Sequence, residues 1–271
     1  HYEYLQNHEK SSSTQVKDPM YTSEFAHPFV TNQERFILAD WVKDVCLTDE
    51  HSSRETMHLA VNLMDRVFEE KPIRVSDADL MCKACLLVAS KFHDVDAFAL
   101  SNMVSSSIKN GIQRTIECEK TILEVLDYNL NATTTTQFVS FFAQQTGEKD
   151  TEDLLHFLSD ITLLGEEFLQ FPKSVIARAC VLITVSVSEN VEVPLIASIA
   201  ENSSNLIQVV ECATFLVDRL LNLRMRQSSS AIRTQPLKYI PQKFEQKLFL
   251  KLFTFESERT RIEKKLQKNC R

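Results

Sequence analysis

Apolar residues recur every three to four positions along most of this chain, which is the period of a helix packed on one face. The pattern predicts a short helix over His1–Lys10 and about five helices within Thr31–Leu130. Ser53 is predicted to cap one of them. Ser76–Phe92 is apolar over most of its circumference, so we expect this helix to be central and buried.

A second set of helices is predicted after residue 131. Its members are Thr136–Gln145, Thr151–Gln170, Ser174–Glu189, Pro194–Glu201 and Asn205–Leu223. Thr151 is the predicted cap of the second helix in this set. Further on, Phe244–Phe255 has features of both a helix and a strand, and we favour a helix because charged helix-forming residues follow it.

The two sets share sequence matches at a common offset. Ala84–Val88 (Ala-Cys-Leu-Leu-Val) corresponds to Ala179–Ile183 (Ala-Cys-Val-Leu-Ile) at an offset of 95 residues. Cys118 and Cys212 correspond at an offset of 94 residues. Because both matches agree on nearly one offset, they favour a duplicated helical unit.

The scarcity of glycine limits the fold classes that this chain can adopt. Only Gly111, Gly147 and Gly165 occur in 271 residues, and 44% of the chain is hydrophobic. Tight strand turns need glycine at positive φ, so strand-and-turn architectures are disfavoured. No two glycines are close enough to form a phosphate-binding loop. We therefore expect an all-α fold and not a Rossmann or P-loop enzyme.

Cysteine and histidine give little support for catalytic or metal chemistry. The seven cysteines are scattered, mostly in apolar helical segments, which indicates a reducing nuclear or cytoplasmic setting. Cys82 and Cys85 have the spacing of half a zinc site, but no second Cys or His pair lies near them. His58 also lacks a partner at ligand spacing. We expect no metal site, no cofactor and no catalytic residue.

The net charge of −7 is unevenly distributed. From Arg224 onward there are 13 Lys and Arg against 4 Glu, a net of +9, so the preceding part carries −16. This asymmetry indicates either a basic tail with its own partner or a solvated tail that contacts the acidic body.

No apolar stretch approaches the ~18 residues of a membrane span, so no membrane association is expected. The chain begins at His1 inside a helical pattern, from which we expect a trimmed sequence.

Four motifs occur in order over about 100 residues: Glu34–Trp41, which ends in Asp-Trp; His58–Asn62 with Asp65-Arg66; Ala89–Phe92; and Glu119–Leu130. Together they resemble the cyclin box, and the similarity is closest to the cell-cycle group that includes cyclins A, B, E and J. The resemblance implies two tandem five-helix cyclin folds over 31–131 and 132–223. An N-terminal helix and linker (1–30) would precede them, and a basic C-terminal extension (224–271) would follow.

In cyclins, a lysine ending the third helix and a glutamate in the fifth contact the regulatory helix of a cyclin-dependent kinase. The resemblance places this pair at Lys91 and Glu119. It implies further kinase contacts at Phe92, Leu123, Tyr128, Leu130, Tyr4 and Asp94. The repeat-related positions hold Ser186 and Ala213, so the pair occurs only in the first half. This difference favours a binding role over an ordinary surface ion pair, which contributes only ~0–1 kcal/mol.

Many cell-cycle cyclins also have a groove that docks Arg-x-Leu motifs of substrates and inhibitors. The resemblance places its base at Ile37, Leu38 and Trp41, with Asp44 as the acidic partner of the arginine. The Met, Leu and Gln usual in cyclin A-like members are replaced here by Glu34, Ala78 and Asp79. We therefore expect a shallower, more acidic and degenerate groove.

These features favour a non-enzymatic regulatory subunit that forms a heterodimer with a cyclin-dependent kinase and activates it allosterically, in the nucleus and cytoplasm. The alternative is a non-activating cyclin-fold adaptor, similar to transcription factor IIB or the retinoblastoma protein, that binds DNA or peptide motifs. The basic tail supports the adaptor, whereas the lack of a zinc ribbon counts against it. Nucleic-acid binding is disfavoured because no aromatic residues interleave with the last basic cluster.

Overall fold

The computed structural model describes residues 1–11, 15–17, 29–99, 110–187, 206–227, 237–240, 245 and 247–252. Its helices in these residues are α1 (Tyr2–Ser11), α2 (Asn32–Thr48), α3 (Arg54–Glu70), α4 (Val75–His93), α5 (Gly111–Val125), α6 (Thr135–Ala143), α7 (Lys149–Thr162), α8 (Lys173–Val187) and α9 (Leu206–Gln227). A 3₁₀ turn spans Glu166–Phe168. Within these ranges the β-type pairing is limited to an isolated bridge between Phe29 and Arg74. The all-α prediction is confirmed.

The first helical unit, α2–α5, is built around α4. This helix packs against α2, α3 and α5, and Leu86 and Leu87 near its middle are fully buried. Helix α3 begins where the Ser53 hydroxyl accepts a hydrogen bond from the Thr56 amide at 3.1 Å. The predicted central helix and the predicted Ser53 cap are therefore both found. Four of the roughly five helices predicted here are described, and residues 100–109 lie outside the described ranges.

The second helical unit, α6–α9, repeats this plan around α8, which packs against α6, α7 and α9. Ala179 and Cys180 on α8 are fully buried, as are their counterparts Ala84 and Cys85 on α4. The shared Ala-Cys motif thus lies in the core of each unit, where small side chains let neighbouring helices approach closely. The predicted helix Pro194–Glu201 lies outside the described residues.

The predicted helix Thr151–Gln170 is wrong at both ends. Helix α7 begins two residues earlier, with Glu148 at the cap position, and Thr151 donates its hydroxyl hydrogen bond to the Glu148 carboxylate at 3.1 Å. The helix ends at Thr162, and the side chain of Arg35 accounts for the break by donating to the Leu163 carbonyl at 3.1 Å.

Buried polar contacts join the two units. The Arg35 guanidinium on α2 binds the Asp65 carboxylate on α3 through two hydrogen bonds of 2.7 and 2.8 Å, and these side chains are 1% and 3% exposed. Its third bond, to Leu163, reaches the second unit. Asp160 on α7 binds Arg54 and His58 of α3, each at 3.2 Å. The first unit is therefore held against the second by charged hydrogen bonds as well as by apolar packing.

Helix α1 belongs to the start of the chain but packs on the second unit. The Tyr2 ring lies 5.3–5.5 Å from the rings of Phe138, Phe141 and Phe142 on α6. The Glu9 carboxylate accepts hydrogen bonds from the Ser174 amide and hydroxyl, at 3.2 and 2.6 Å, in the first turn of α8. Glu9 thus serves as a capping group for a helix 165 residues away.

The tail helix comprises the described residues 247–252, together with residue 245. Leu248, Phe249 and Leu252 are buried, and Arg224 lies over the Phe249 ring at 5.0 Å. The predicted helical conformation is confirmed over these residues. None of the described helices is long and apolar enough to span a bilayer.

Candidate functional site

The Lys91–Glu119 pair forms on the surface of the first unit. Lys91 lies in the last turn of α4 and Glu119 in the middle of α5, with 2.5 Å between Nζ and Oε1. The Lys91 side chain is 53% exposed, whereas that of Glu119 is 15% exposed. The sequence-predicted pair is therefore brought together, with its ammonium group still accessible to a partner.

An unusual turn after α5 presents an aromatic ring beside this pair. Helix α5 ends at Val125, and Asp127 and Tyr128 after it have φ of 48° and 57°. Such left-handed backbone is uncommon for a bulky residue, and strained residues of this kind often lie at functional sites. The Tyr128 amide donates to the Leu123 carbonyl at 2.9 Å, and the buried Arg66 side chain donates to the Asn129 carbonyl at 2.9 Å. These bonds hold the turn while the Tyr128 side chain stays 70% exposed.

The other predicted apolar contacts differ in their exposure. Phe92 follows Lys91 and is 46% exposed, with its ring edge-on to His93. Leu123 and Leu130 are half-buried, and Leu130 packs against the core. Tyr4 is exposed on α1, whose His8 side chain is hydrogen-bonded to Thr133 at 2.6 Å. That contact places α1 beside the chain segment that continues from Tyr128 and Leu130.

Asp94 has an internal role in the structure. Its carboxylate accepts hydrogen bonds from the Ser53 amide at 3.1 Å and from the Thr56 hydroxyl at 2.6 Å, at the start of α3. An acidic group at this position also faces the positive end of the helix dipole. The side chain is half-buried and therefore serves the α3 N-terminus, while its contact with a kinase stays a prediction.

Three exposed apolar residues near this surface were missed by the sequence reasoning. Ile112 and Ile116 lie about two turns and one turn before Glu119 on α5 and are 52% and 44% exposed, and Val95 after α4 is fully exposed. Their signal was present in the sequence, because Ile112, Ile116, Glu119 and Leu123 follow helical spacing along one face. The exposed apolar surface thus extends along α5 beyond the predicted contacts.

The equivalent surface of the second unit is apolar and partly covered. Ser186 and Ala213 occupy the positions of Lys91 and Glu119, and Lys251 of the tail helix donates a hydrogen bond to the Ser186 carbonyl. Beside it lies a cavity of about 520 Å³ lined by side chains of α8, α9 and the tail helix. In the described residues, only the first unit carries the Lys–Glu pair at this place.

The predicted docking groove lies along α2, away from this surface. Ile37 is 46% exposed, Leu38 and Trp41 are half-buried, and Asp44 is exposed. The three residues that differ from the family pattern are engaged in local contacts in the structure. Glu34 forms the capping box of α2 with Thr31, Ala78 is buried, and Asp79 pairs with Lys83, whose ammonium group lies 5.7 Å from the centre of the Trp41 ring.

Asp44 is already engaged by the chain itself. The Tyr239 hydroxyl donates to its Oδ1 at 2.7 Å, and the Lys238 Nζ lies 3.2 Å from the same atom. The Tyr239 hydrogen bond, followed by that from Lys238, lowers the pKa of Asp44 below its ordinary value. Asp44 is therefore an ionised anchor for groups from the C-terminal segment.

Cys82, Cys85 and His58 are buried in the core. Cys82 and Cys85 are 1% and 0% exposed, and burial raises the pKa of both thiols. His58 is buried against Asp160, as described above. No group of three or more His, Cys, Asp or Glu in the described ranges has an arrangement that could hold a metal ion.

Comparison with known proteins assigns both helical units to the same family. Residues 1–131 match the family "Cyclin, N-terminal domain", and residues 133–257 match "Cyclin, C-terminal domain". Cyclin-A2 of Gallus gallus is 34% identical over 157 residues, which are 56% of this chain and 39% of that protein. Cyclin-B1-3 of Arabidopsis thaliana is 30% identical over 156 residues, 57% of this chain and 37% of that protein. The matched region thus spans less than two fifths of these relatives.

Solved structures show the same fold. A viral cyclin from herpesvirus saimiri has a TM-score of 0.67 and 19% identity, with 81% of this chain and 96% of that chain covered. A chain of the yeast RNA Pol II CTD kinase CTDK-1 complex has a TM-score of 0.54 and 15% identity, with 88% and 79% covered. With two tandem cyclin domains matched along residues 1–131 and 133–257, this chain belongs to the cyclin family.

Proposed function

We propose that this chain is a regulatory subunit that binds a cyclin-dependent kinase through the Lys91–Glu119 surface. The observation that carries the proposal is the pair itself, which lies accessible between α4 and α5 of the first unit. Its counterpart in the second unit is replaced by Ser186 and Ala213. An isolated surface ion pair contributes little to stability, so a stability role is a weak reason for its presence.

The surroundings of the pair suit a helix of a partner. Phe92 and Tyr128 supply exposed aromatic area, which is enriched at the energetic centres of interfaces. Lys91 can donate to carbonyl oxygens at the end of a partner helix, while Glu119 fixes its orientation. The structural neighbours include chains of two kinase assemblies, the CTDK-1 complex and the CAK complex bound to ATP-gamma-S. Their likeness to this chain supports a kinase as the partner.

Activation would follow from placement of the kinase regulatory helix. Protein kinases position the ATP phosphates with a lysine that pairs with a glutamate on this helix, and the helix must lie inward for that pair to form. A rigid surface pressed against the helix from outside would favour the inward state and help order the activation loop. The catalytic residues and the ATP–Mg²⁺ site would all belong to the kinase, and this chain would have no enzymatic role of its own.

The test is a binding and activity assay with a panel of purified cyclin-dependent kinases. The Lys91→Ala/Glu119→Ala variant should lose at least about 30-fold in affinity, as expected when a pair at an interface centre is removed. A matched control is Lys120→Ala/Glu124→Ala, which removes an exposed pair from the same helix. The control should bind and activate like the unmodified chain.

Two outcomes would contradict the proposal in different ways. Binding that survives the Lys91/Glu119 double substitution would show that the interface lies elsewhere. A kinase that binds but stays inactive would favour the non-activating adaptor, in which the cyclin fold serves only as a scaffold.

A further inference from the structure

A short C-terminal segment, residues 237–240, lies against α2 at Asp44. Leu237 is 3% exposed, and Ile240 packs against the core. The Ile240 amide donates to the Leu237 carbonyl at 3.1 Å, which closes the segment into a turn. Buried Leu237 and half-buried Ile240 anchor the two ends of the turn, while Lys238 and Tyr239 between them reach the Asp44 carboxylate.

Asp44 ends an outward-facing stripe of α2. Ile37, Trp41 and Asp44 are four and three residues apart, so they share one helix face. Ile37 is exposed, Trp41 is half-buried, and the Asp44 side chain is 55% exposed. A carboxylate at the end of an apolar stripe fits a short peptide that carries a cation followed by an apolar residue. An arginine would bind the carboxylate more strongly than a lysine, because its guanidinium can form two parallel hydrogen bonds.

The chain supplies such a sequence itself. Lys238, Tyr239 and Ile240 give a cation, a hydrogen-bond donor and an apolar residue in succession. The Lys238 ammonium also lies 4.9 Å from the centre of the Tyr239 ring, so the two side chains approach Asp44 as a unit. A peptide cation arriving at Asp44 would meet a carboxylate whose Oδ1 already binds Tyr239 and Lys238.

We propose that residues 237–240 are a built-in competitor for a peptide-docking site on α2, so that an Arg-x-Leu peptide must displace Lys238 and Tyr239 from Asp44. The proposal extends the docking part of the predicted function and does not depend on kinase binding. A tethered segment competes at an effective concentration that a free peptide seldom reaches. Since its two polar contacts lie near the surface, each is weak enough to be exchanged. Peptides that bind Asp44 through an arginine would therefore displace the segment, whereas peptides with weaker contacts to Asp44 would not.

The experiment measures fluorescence anisotropy of a labelled octapeptide with one Arg-x-Leu sequence, with the isolated full chain and no kinase present. Lys238→Ala/Tyr239→Phe should bind this peptide about tenfold more tightly, the order expected for loss of two exposed polar contacts. Asp44→Asn should weaken binding in both backgrounds. An octapeptide with Ala in place of Arg and Leu should bind none of the proteins measurably. Lys120→Ala, a remote exposed lysine, is the control and should bind like the unmodified chain.

The outcomes separate this inference from the kinase proposal. Equal affinity of the unmodified chain and the Lys238→Ala/Tyr239→Phe variant would show that the segment does not compete. Absence of peptide binding to either protein would show that α2 has no docking site for this motif. Kinase binding is scored separately with the Lys91/Glu119 variant, so failure of one proposal leaves the other measurable. Unchanged thermal unfolding midpoints would confirm that the variants are folded.

Discussion

Replacement of Asp65 by Asn should destabilise the protein far more than its conservative nature suggests. The substitution keeps the shape of the side chain but removes the negative charge that faces the Arg35 guanidinium at 2.7 and 2.8 Å. Both side chains are at least 97% buried, so bulk solvent does not compensate for the lost charge. Breaking a buried pair by removing one partner typically costs about 3–5 kcal/mol, because the remaining charge is left uncompensated.

Three further variants test whether the loss of stability arises from the charge that remains buried. Arg35→Met should cost at least as much as Asp65→Asn, since it removes the guanidinium that binds Asp65 and also the donor to the Leu163 carbonyl. The double variant Arg35→Met/Asp65→Leu removes both charges, so most of the loss should be regained. The matched control is Asp77→Asn, which breaks the exposed pair with Arg114 at 2.9 Å and should cost less than about 1 kcal/mol.

The assay is equilibrium unfolding in urea, followed by circular dichroism of the helices, with the free energy of unfolding obtained by linear extrapolation. A cost below about 1 kcal/mol for Asp65→Asn would refute the reasoning. A double variant no more stable than either single variant would also refute it, because burial of an unpaired charge would then not be the main cause.

Three further predictions concern local features. Burial lowers the pKa of His156 from 6.5 to about 4, so the unfolded chain binds more protons between these values, and stability should fall as pH drops from 6.5 to 4. The full shift corresponds to roughly 3 kcal/mol, and urea titrations at several pH values should show a shallower slope in His156→Phe. Gly147 has φ of +62° and open space around it, so Gly147→Ala should cost about 1–2 kcal/mol in urea unfolding, while Gly147→Asn should cost less. Ser53→Ala removes the α3 cap and should cost about 1 kcal/mol in thermal unfolding, whereas Ser53→Thr should be nearly neutral; equal losses for the two would exclude capping as the cause.

The local pattern of apolar, polar and capping residues was sufficient to predict most helices. Ser76–Phe92 could be recognised because its apolar residues cover nearly the whole circumference, and Ser53 because a capping hydroxyl acts within three residues. The break after Thr162 could not be predicted in this way. It depends on Arg35, which lies 128 residues earlier in the chain and binds the Leu163 carbonyl only in the folded protein.

The candidate site was predictable to a similar degree. Motif order placed Lys91 and Glu119 together, and the structure joins them. The left-handed turn at Tyr128 and the internal role of Asp94 were not visible, because both arise from hydrogen bonds to distant segments. The engagement of Asp44 by Lys238 and Tyr239 is also a contact across more than 190 residues, which no local pattern reports.

The packing of α1 on the second unit has a consequence for synthesis of the protein. Glu9 leaves the ribosome 165 residues before Ser174, the residue it caps, and Tyr2 precedes its aromatic partners on α6 by more than 130 residues. At about 5–20 residues per second, α1 must wait roughly 8–30 s for the helices it packs on. During this interval α2–α5 can fold as a nascent domain, whereas α1 remains an unprotected segment available to chaperones. Of the described helices, α1 is translated first and is therefore among the last to reach its native position.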